Sequence, residues 1–168
     1  ELAQVRPEEA LPLVKLARVR LGLGDPAGAV EAAAAALVLD PSLAEAHHLR
    51  GLGHLRRAAL ARAIRDFRKA TALAPDHGWA QNNLGYALLL AGKPDEAREP
   101  LERAAALLPQ VAFVYNNLGL AYEKLGLKEE SQAAFDRAVE LRPRYVKARV
   151  NSARAKLLAQ VQLAPELA

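Results

Sequence analysis

Residues 112–145 read AFVYNNLGLAYEKLGLKEESQAAFDRAVELRPRY, and the 34 residues before them, 78–111, read GWAQNNLGYALLLAGKPDEAREPLERAAALLPQV. Asn-Asn-Leu-Gly falls at the same place in both, and so does a proline near the end. Carried through the chain, the 34-residue step links Pro7, Pro41, Pro75, Pro109 and Pro143, five of the ten prolines. Gly51, Gly85 and Gly119 keep the same register, as do Ala36, Ala70, Ala104 and Ala138. A fixed period of this length marks a repeat array, in which each unit buries its apolar face mainly against its neighbours.

Each unit reads as two helices. In 112–145, Val114, Tyr115, Leu118, Tyr122 and Leu125 follow helical spacing, and Gly126 supplies the left-handed residue that ends a helix. Ala134, Phe135, Ala138, Val139 and Leu141 line a second helix, which Pro143 stops. Unit 78–111 has a Gly92-Lys93-Pro94-Asp95 turn, with Pro94 suited to a first helical turn. The period gives four full units, 10–43, 44–77, 78–111 and 112–145. Residues 1–9 read as the end of a preceding unit or an extension, and 146–168 as a capping helix and tail. Two local departures stand out. Pro100 falls inside a second helix, where it removes one backbone hydrogen bond. Unit 44–77 carries His47, Arg50 and His54 at packing positions and Ala58 in place of the turn glycine, which predicts looser packing there.

Composition agrees with an all-α reading. Hydrophobic residues make up 52% but aromatics only 5%, and runs of β-branched and aromatic residues are missing. The absence of cysteine excludes disulfides and thiolate-bound metals. No apolar run reaches the roughly 18 residues needed to span a bilayer. A net charge of +4 is only modestly basic. A chain that opens on Glu1 and contains no methionine reads as a segment of a longer or processed protein. The alanine-, leucine- and arginine-rich composition suggests a bacterial source.

The periodic residues resemble the tetratricopeptide repeat, whose W-x2-L-G-x2-Y, A-x3-F and P pattern is a packing code. Unit four carries Tyr115, Leu118, Gly119, Tyr122, Phe135, Ala138 and Pro143, with Ser131 replacing a small alanine. Unit three carries Leu84, Gly85, Ala97, Leu101, Ala104 and Pro109; unit two carries Gly51, Ala63, Phe67, Ala70 and Pro75. Unit one is the weakest match, with Leu16, Ala17, Ala29, Ala33, Ala36 and Pro41. The resemblance implies a right-handed superhelix of four repeats plus a capping helix. Its first helices would line a concave groove that binds a protein or an extended peptide.

Read down the groove helices, one column gives Lys15, Leu49, Asn83, Asn117 and Asn151. An amide offers an acceptor and two donors, so a column of them can pair with a peptide backbone without reading its side chains. This column resembles the asparagine ladder of the O-linked N-acetylglucosamine transferase superhelix. The alternative is that Asn83 and Asn117, with Asn82 and Asn116, are incidental members of a common repeat phrase. A neighbouring column gives Leu11, Glu45, Trp79, Phe113 and Lys147. Trp79 and Phe113, joined by Tyr86, are candidates for an aromatic patch that holds a partner's apolar side chain; packing against the preceding unit is the alternative. Chaperone-binding members of the family use a carboxylate clamp. Its positions here hold His48, Leu52, Asn83, Phe113 and Asn117, of which only Asn83 matches, so that partner is rejected.

Other features carry less. Arg50, Arg56, Arg57, Arg62, Arg65, Arg68 and Lys69 make unit two basic, but no aromatics interleave and the spacing of Arg62, Arg65 and Lys69 is that of a solvated flank. Of His47, His48, His54 and His77, His47 and His54 stand two turns apart on one face, but no carboxylate or cysteine completes a metal set, so the four read as partly buried packing residues. No nucleophile–base pair, phosphate loop or paired carboxylate site is visible. The sequence thus predicts a non-catalytic interaction module with no metal and no cofactor. A self-assembly scaffold, dimerising through the terminal helix with Val150, Leu157, Leu158 and Val161, is the alternative; nucleic-acid binding through unit two ranks below it.

Overall fold

A computed structural model of the chain describes residues 7–162. These form α1 (Pro7–Gly22), α2 (Pro26–Leu39), α3 (Ala44–Arg56), α4 (Leu60–Leu73), α5 (Gly78–Leu90), α6 (Pro94–Leu107), α7 (Ala112–Lys124), α8 (Lys128–Leu141) and α9 (Val146–Gln162). No strand occurs among the described residues. Helix starts repeat with the sequence period: 44, 78, 112 and 146 for one set, 26, 60, 94 and 128 for the other. The first helix breaks the pattern. Pro7 opens α1 instead of closing an earlier unit, so α1 begins three residues before position 10. Proline is well suited to that place, because the first turn of a helix has no use for its missing N–H. Residues 1–6 and the tail beyond Gln162 lie outside the described residues.

Each hairpin is closed by the same turn. Gly24, Gly92 and Gly126 have φ of 78°, 72° and 75°. The N–H of the next residue reaches back to the last helical turn: Asp25 to the Arg20 carbonyl at 2.8 Å, Lys93 to Leu88 and Leu127 to Tyr122, both at 2.9 Å. Ala58 occupies the equivalent place with φ 57°, and Ala59 makes the same bond to the His54 carbonyl at 2.9 Å. The fold therefore imposes a left-handed residue even where the sequence does not provide a glycine.

Helix contact within a hairpin depends on the absence of a side chain. A Cβ on Gly119 would stand 2.6 Å from Phe135 Cδ1, and one on Gly85 2.4 Å from Leu101 Cγ. Phe135 and Leu101 are fully buried in these niches. Alanines at 29, 33, 36, 63, 70, 97, 104 and 138 are also fully buried, which gives the stack an alanine-rich core. Ser131 fits among them because its hydroxyl donates to the Gly119 carbonyl at 3.0 Å.

The looser packing expected of the second unit is not found. A Cβ on Gly51 would lie 2.7 Å from Phe67 Cε1, as close as the fourth unit's counterpart. His47, His48 and His54 are buried beside it. Asp66, itself 4% exposed, accounts for this. It takes a two-pronged bond from Arg50 (Nε to Oδ2 at 2.9 Å, Nη2 to Oδ1 at 2.6 Å), and the rings of His47 and His54 approach it to 3.8 Å. Burial works against ionisation of Asp66, but His47 and Arg50 outweigh it and hold the carboxyl below its ordinary value. A polar nucleus thus replaces the usual aromatic and leucine side chains. In unit three, α6 runs continuously through Pro100.

Curvature follows from which helices meet. Odd-numbered helices touch their odd-numbered neighbours (α1 with α3, α3 with α5, α5 with α7, α7 with α9), whereas contact between successive even-numbered helices is slight at most. The odd helices therefore lie on the inner side of the curve and the even ones fan out behind.

Candidate functional site

The inner surface combines three features, each set by the register of the odd helices. The first is aromatic. Trp79 and Phe113 begin α5 and α7 one period apart, and their rings stand 5.7 Å apart at 49°. Phe113 in turn meets Tyr145 edge-on, with centroids 6.5 Å apart at 75°. Phe113 packs on the preceding unit's Trp79 and remains 38% exposed. Trp79 is 40% and Tyr86 37% exposed. Tyr145 was missed from sequence. It lies in the link before α9, two residues ahead of the column that runs through Trp79, Phe113 and Lys147, and no helical pattern singles it out.

The second feature is an amide ladder. Asn117 Nδ2 donates to Asn82 Oδ1 at 3.0 Å, and Asn151 Nδ2 donates to Asn116 Oδ1 at 2.9 Å. Asn83 Nδ2 lies 2.9 Å from His48 Nε2, and its Oδ1 accepts from Asn82 at 3.2 Å. All three bonds between repeats join residues 35 apart, one period plus one. Asn82 and Asn116 are 4% and 3% exposed, while Asn83, Asn117 and Asn151 are half-buried. The asparagines are therefore engaged between repeats. Each inner helix from α5 onward is tied to its predecessor through them.

The third feature is a polar cluster formed by Glu45 and His48 of α3 with His77, just before α5. Glu45 Oε2 lies 3.0 Å from His77 Nε2 and 3.6 Å from His48 Nδ1. The two rings meet at 4.7 Å and 66°. His77 also caps α5, its Nδ1 accepting from the Ala80 N–H at 3.3 Å. Arg18 Nη2 holds the other oxygen, Glu45 Oε1, at 2.8 Å. Burial opposes the charge on Glu45, but His48, His77 and Arg18 prevail and bring the carboxyl down to about 2. The expectation that no carboxylate accompanies the histidines is thus corrected: Glu45 serves His48 and His77, and Asp66 serves His47 and His54. Among the described residues, Glu45, His48 and His77 are the group placed to hold a metal ion.

The basic residues of the second unit are divided between engaged and solvent-facing ones. Arg50 is bound to Asp66, Arg56 to the Leu21 carbonyl and Arg68 to Glu96. Arg62, Arg65 and Lys69 are exposed on α4, an outer helix. No helix among the described residues is long and apolar enough to cross a membrane.

Family models described as tetratricopeptide repeat match residues 14–77, 43–112 and 112–145. Among solved structures, MamA from Desulfovibrio magneticus RS-1 is 24% identical, with a TM-score of 0.81 over 90% of this chain and 85% of that one. A second MamA crystal structure is 30% identical, covering 84% of this chain and 82% of that one with a TM-score of 0.73. YrrB, described as a TPR protein with an unusual peptide-binding site, is 22% identical, with a TM-score of 0.80 over 90% of this chain and 78% of its own. No curated protein sequence matches the chain.

Proposed function

This chain belongs to the tetratricopeptide repeat family, and we propose that it is a non-catalytic interaction module that holds an extended peptide or partner segment against its inner helices. The family's fold is that of a protein-interaction module, and YrrB is an example described as binding peptide. The observation that carries the reading is the row Trp79–Phe113–Tyr145. In a protein whose core is mostly alanine, two of its largest side chains stand about two-fifths exposed on the inner surface, stacked one repeat apart. Aromatic anchors of this kind dominate binding energy, at roughly 2 kcal/mol or more for a central one. Tyr86 extends the apolar surface. Asn83, Asn117 and Asn151, with Asn82 and Asn116, form the polar edge of the same surface; the amide atoms not engaged between repeats are the ones that would meet a peptide backbone.

Selection from a random peptide library tests this. Selected peptides should bind the wild-type chain and lose affinity about tenfold or more with Trp79→Ala, at unchanged helicity. Equal binding by both proteins refutes the assignment of the aromatic row.

A second reading, self-assembly, draws on α9. Val146, Val150, Leu157 and Leu158 are between 54% and 66% exposed along it, an unusual concentration for a solvated face. Light scattering across a concentration series tests it: constant monomer mass argues against association through this helix.

A further inference from the structure

The polar cluster at the start of α3 is the part of the inner surface that peptide binding leaves unused. We propose that Glu45, His48 and His77 form a site for a divalent transition ion of the zinc type, held by Glu45 Oε2, His48 Nδ1 and His77 Nε2. The donor set suits the ion: two imidazoles and a carboxylate are the three protein ligands of many open zinc sites, with water in the fourth position. The spacing suits it too. One ligand atom from each residue lies within 4.8 Å of the other two. In a tetrahedral site with bonds of about 2.0–2.2 Å, ligand atoms stand roughly 3.3–3.6 Å apart. The 3.0 Å and 3.6 Å separations from Glu45 Oε2 bracket that range. Rotations of the partly exposed Glu45 and His77 side chains complete it.

A second observation is independent of the spacing. His48 is buried, its side chain 8% exposed, yet its Nδ1 has no hydrogen-bond partner. The nearest acceptor, Glu45 Oε2 at 3.6 Å, is beyond hydrogen-bond reach. A buried nitrogen without a partner is costly, and a cation between it and the carboxylate satisfies both. The surroundings match what a metal-bound histidine needs. Its other nitrogen, Nε2, faces the Asn83 amide at 2.9 Å. Turned end for end, at the expense of the bond its Oδ1 accepts from Asn82, that amide presents Oδ1 to an Nε2–H and fixes the tautomer in which Nδ1 is the ligand. Arg18 fixes Glu45 Oε1 and leaves Oε2 turned toward the rings. On binding, the His77 proton moves from Nε2 to Nδ1 and the long 3.3 Å contact with the Ala80 N–H is given up. His48 is buried, whereas Glu45 and His77 are partly exposed.

The assignment does not rest on peptide binding and is tested without a peptide. The 168-residue chain, stripped with a chelator, is titrated with zinc chloride by calorimetry and with cobalt chloride by visible absorption. One ion per chain is expected, with cobalt bands of a tetrahedral site that zinc abolishes. Glu45→Gln and His77→Gln, both at half-exposed positions and checked for unchanged helicity by circular dichroism, should each weaken binding about tenfold or more. A wild-type chain that takes up no ion overturns the site, and so do variants that bind as tightly as the wild type.

Discussion

Ala58→Gly should stabilise this protein, although it removes a methyl group and adds backbone freedom. Ala58 is the fourth member of a column whose other members are Gly24, Gly92 and Gly126, and it shares their left-handed backbone, with φ 57° against 72–78°. An L-residue in that region costs about 1–2 kcal/mol relative to the right-handed one. Glycine escapes the cost but brings extra unfolded-state entropy, worth roughly 0.5–1 kcal/mol against it. Packing adds little to either side. Ala58 is exposed, and a Cβ built on any of the three glycines meets nothing within 4 Å. The net gain is therefore about 0.5–1 kcal/mol. For a chain of this size that corresponds to a rise in Tm of about 1–4 °C. Urea unfolding followed by circular dichroism should show a higher midpoint at unchanged slope. The reverse substitution, Gly92→Ala, should lower the midpoint by a similar amount. The reasoning is refuted if Ala58→Gly leaves the midpoint unchanged or lowers it.

Further outcomes follow from the packing and the polar groups. Gly119→Ala drives a methyl to within 2.6 Å of the buried Phe135 ring and should cost about 1–3 kcal/mol, read by thermal unfolding. Pro100→Ala restores an N–H to the middle of α6 and should raise stability by about 1–3 kcal/mol, measured in the same way. Asn151→Ala removes the donor to the buried Asn116 Oδ1; unfolding in urea should show a loss of about 1–3 kcal/mol. For Asp66, the folded carboxyl titrates below its ordinary value. Its contribution is thus complete above the unfolded value of about 4 and is lost as pH falls through the lower folded value. Asp66→Asn should destabilise the chain at pH 7, and the gap from the wild type should narrow as acid unfolding proceeds below about pH 4.

The repeat architecture was legible because its signals are local and recur. Pro94 marks the start of α6, and Gly126 marks the turn between α7 and α8. Pro7 misled for a physical reason: a proline that blocks a helix from continuing and one that begins a helix look alike in a sequence. The aromatic row was half visible. Trp79 and Phe113 share a column, but Tyr145 comes from the next link and meets them only after the helices stack. The asparagine column was visible, but the bonds that link it from repeat to repeat, and the Glu45–His48–His77 cluster, were not, because these contacts run diagonally. His48 meets Asn83, Asn82 meets Asn117 and Asn116 meets Asn151, each 35 residues on. Glu45 meets His77 at a separation of 32. Offsets of one or two from the period express the tilt between successive hairpins, which only the fold supplies.

The diagonal bonds also bear on how the array responds to force. They run along the inner rim, while successive outer helices barely touch. Pulling the ends apart, so that the coil straightens, lengthens the inner rim first and must break the amide links one by one. Tightening the coil leaves those links in place and only spreads outer helices that barely touch. The molecule is therefore a spring with unequal stiffness in its two directions, resistant to extension and compliant to winding. Its resistance steps down at each asparagine that is lost.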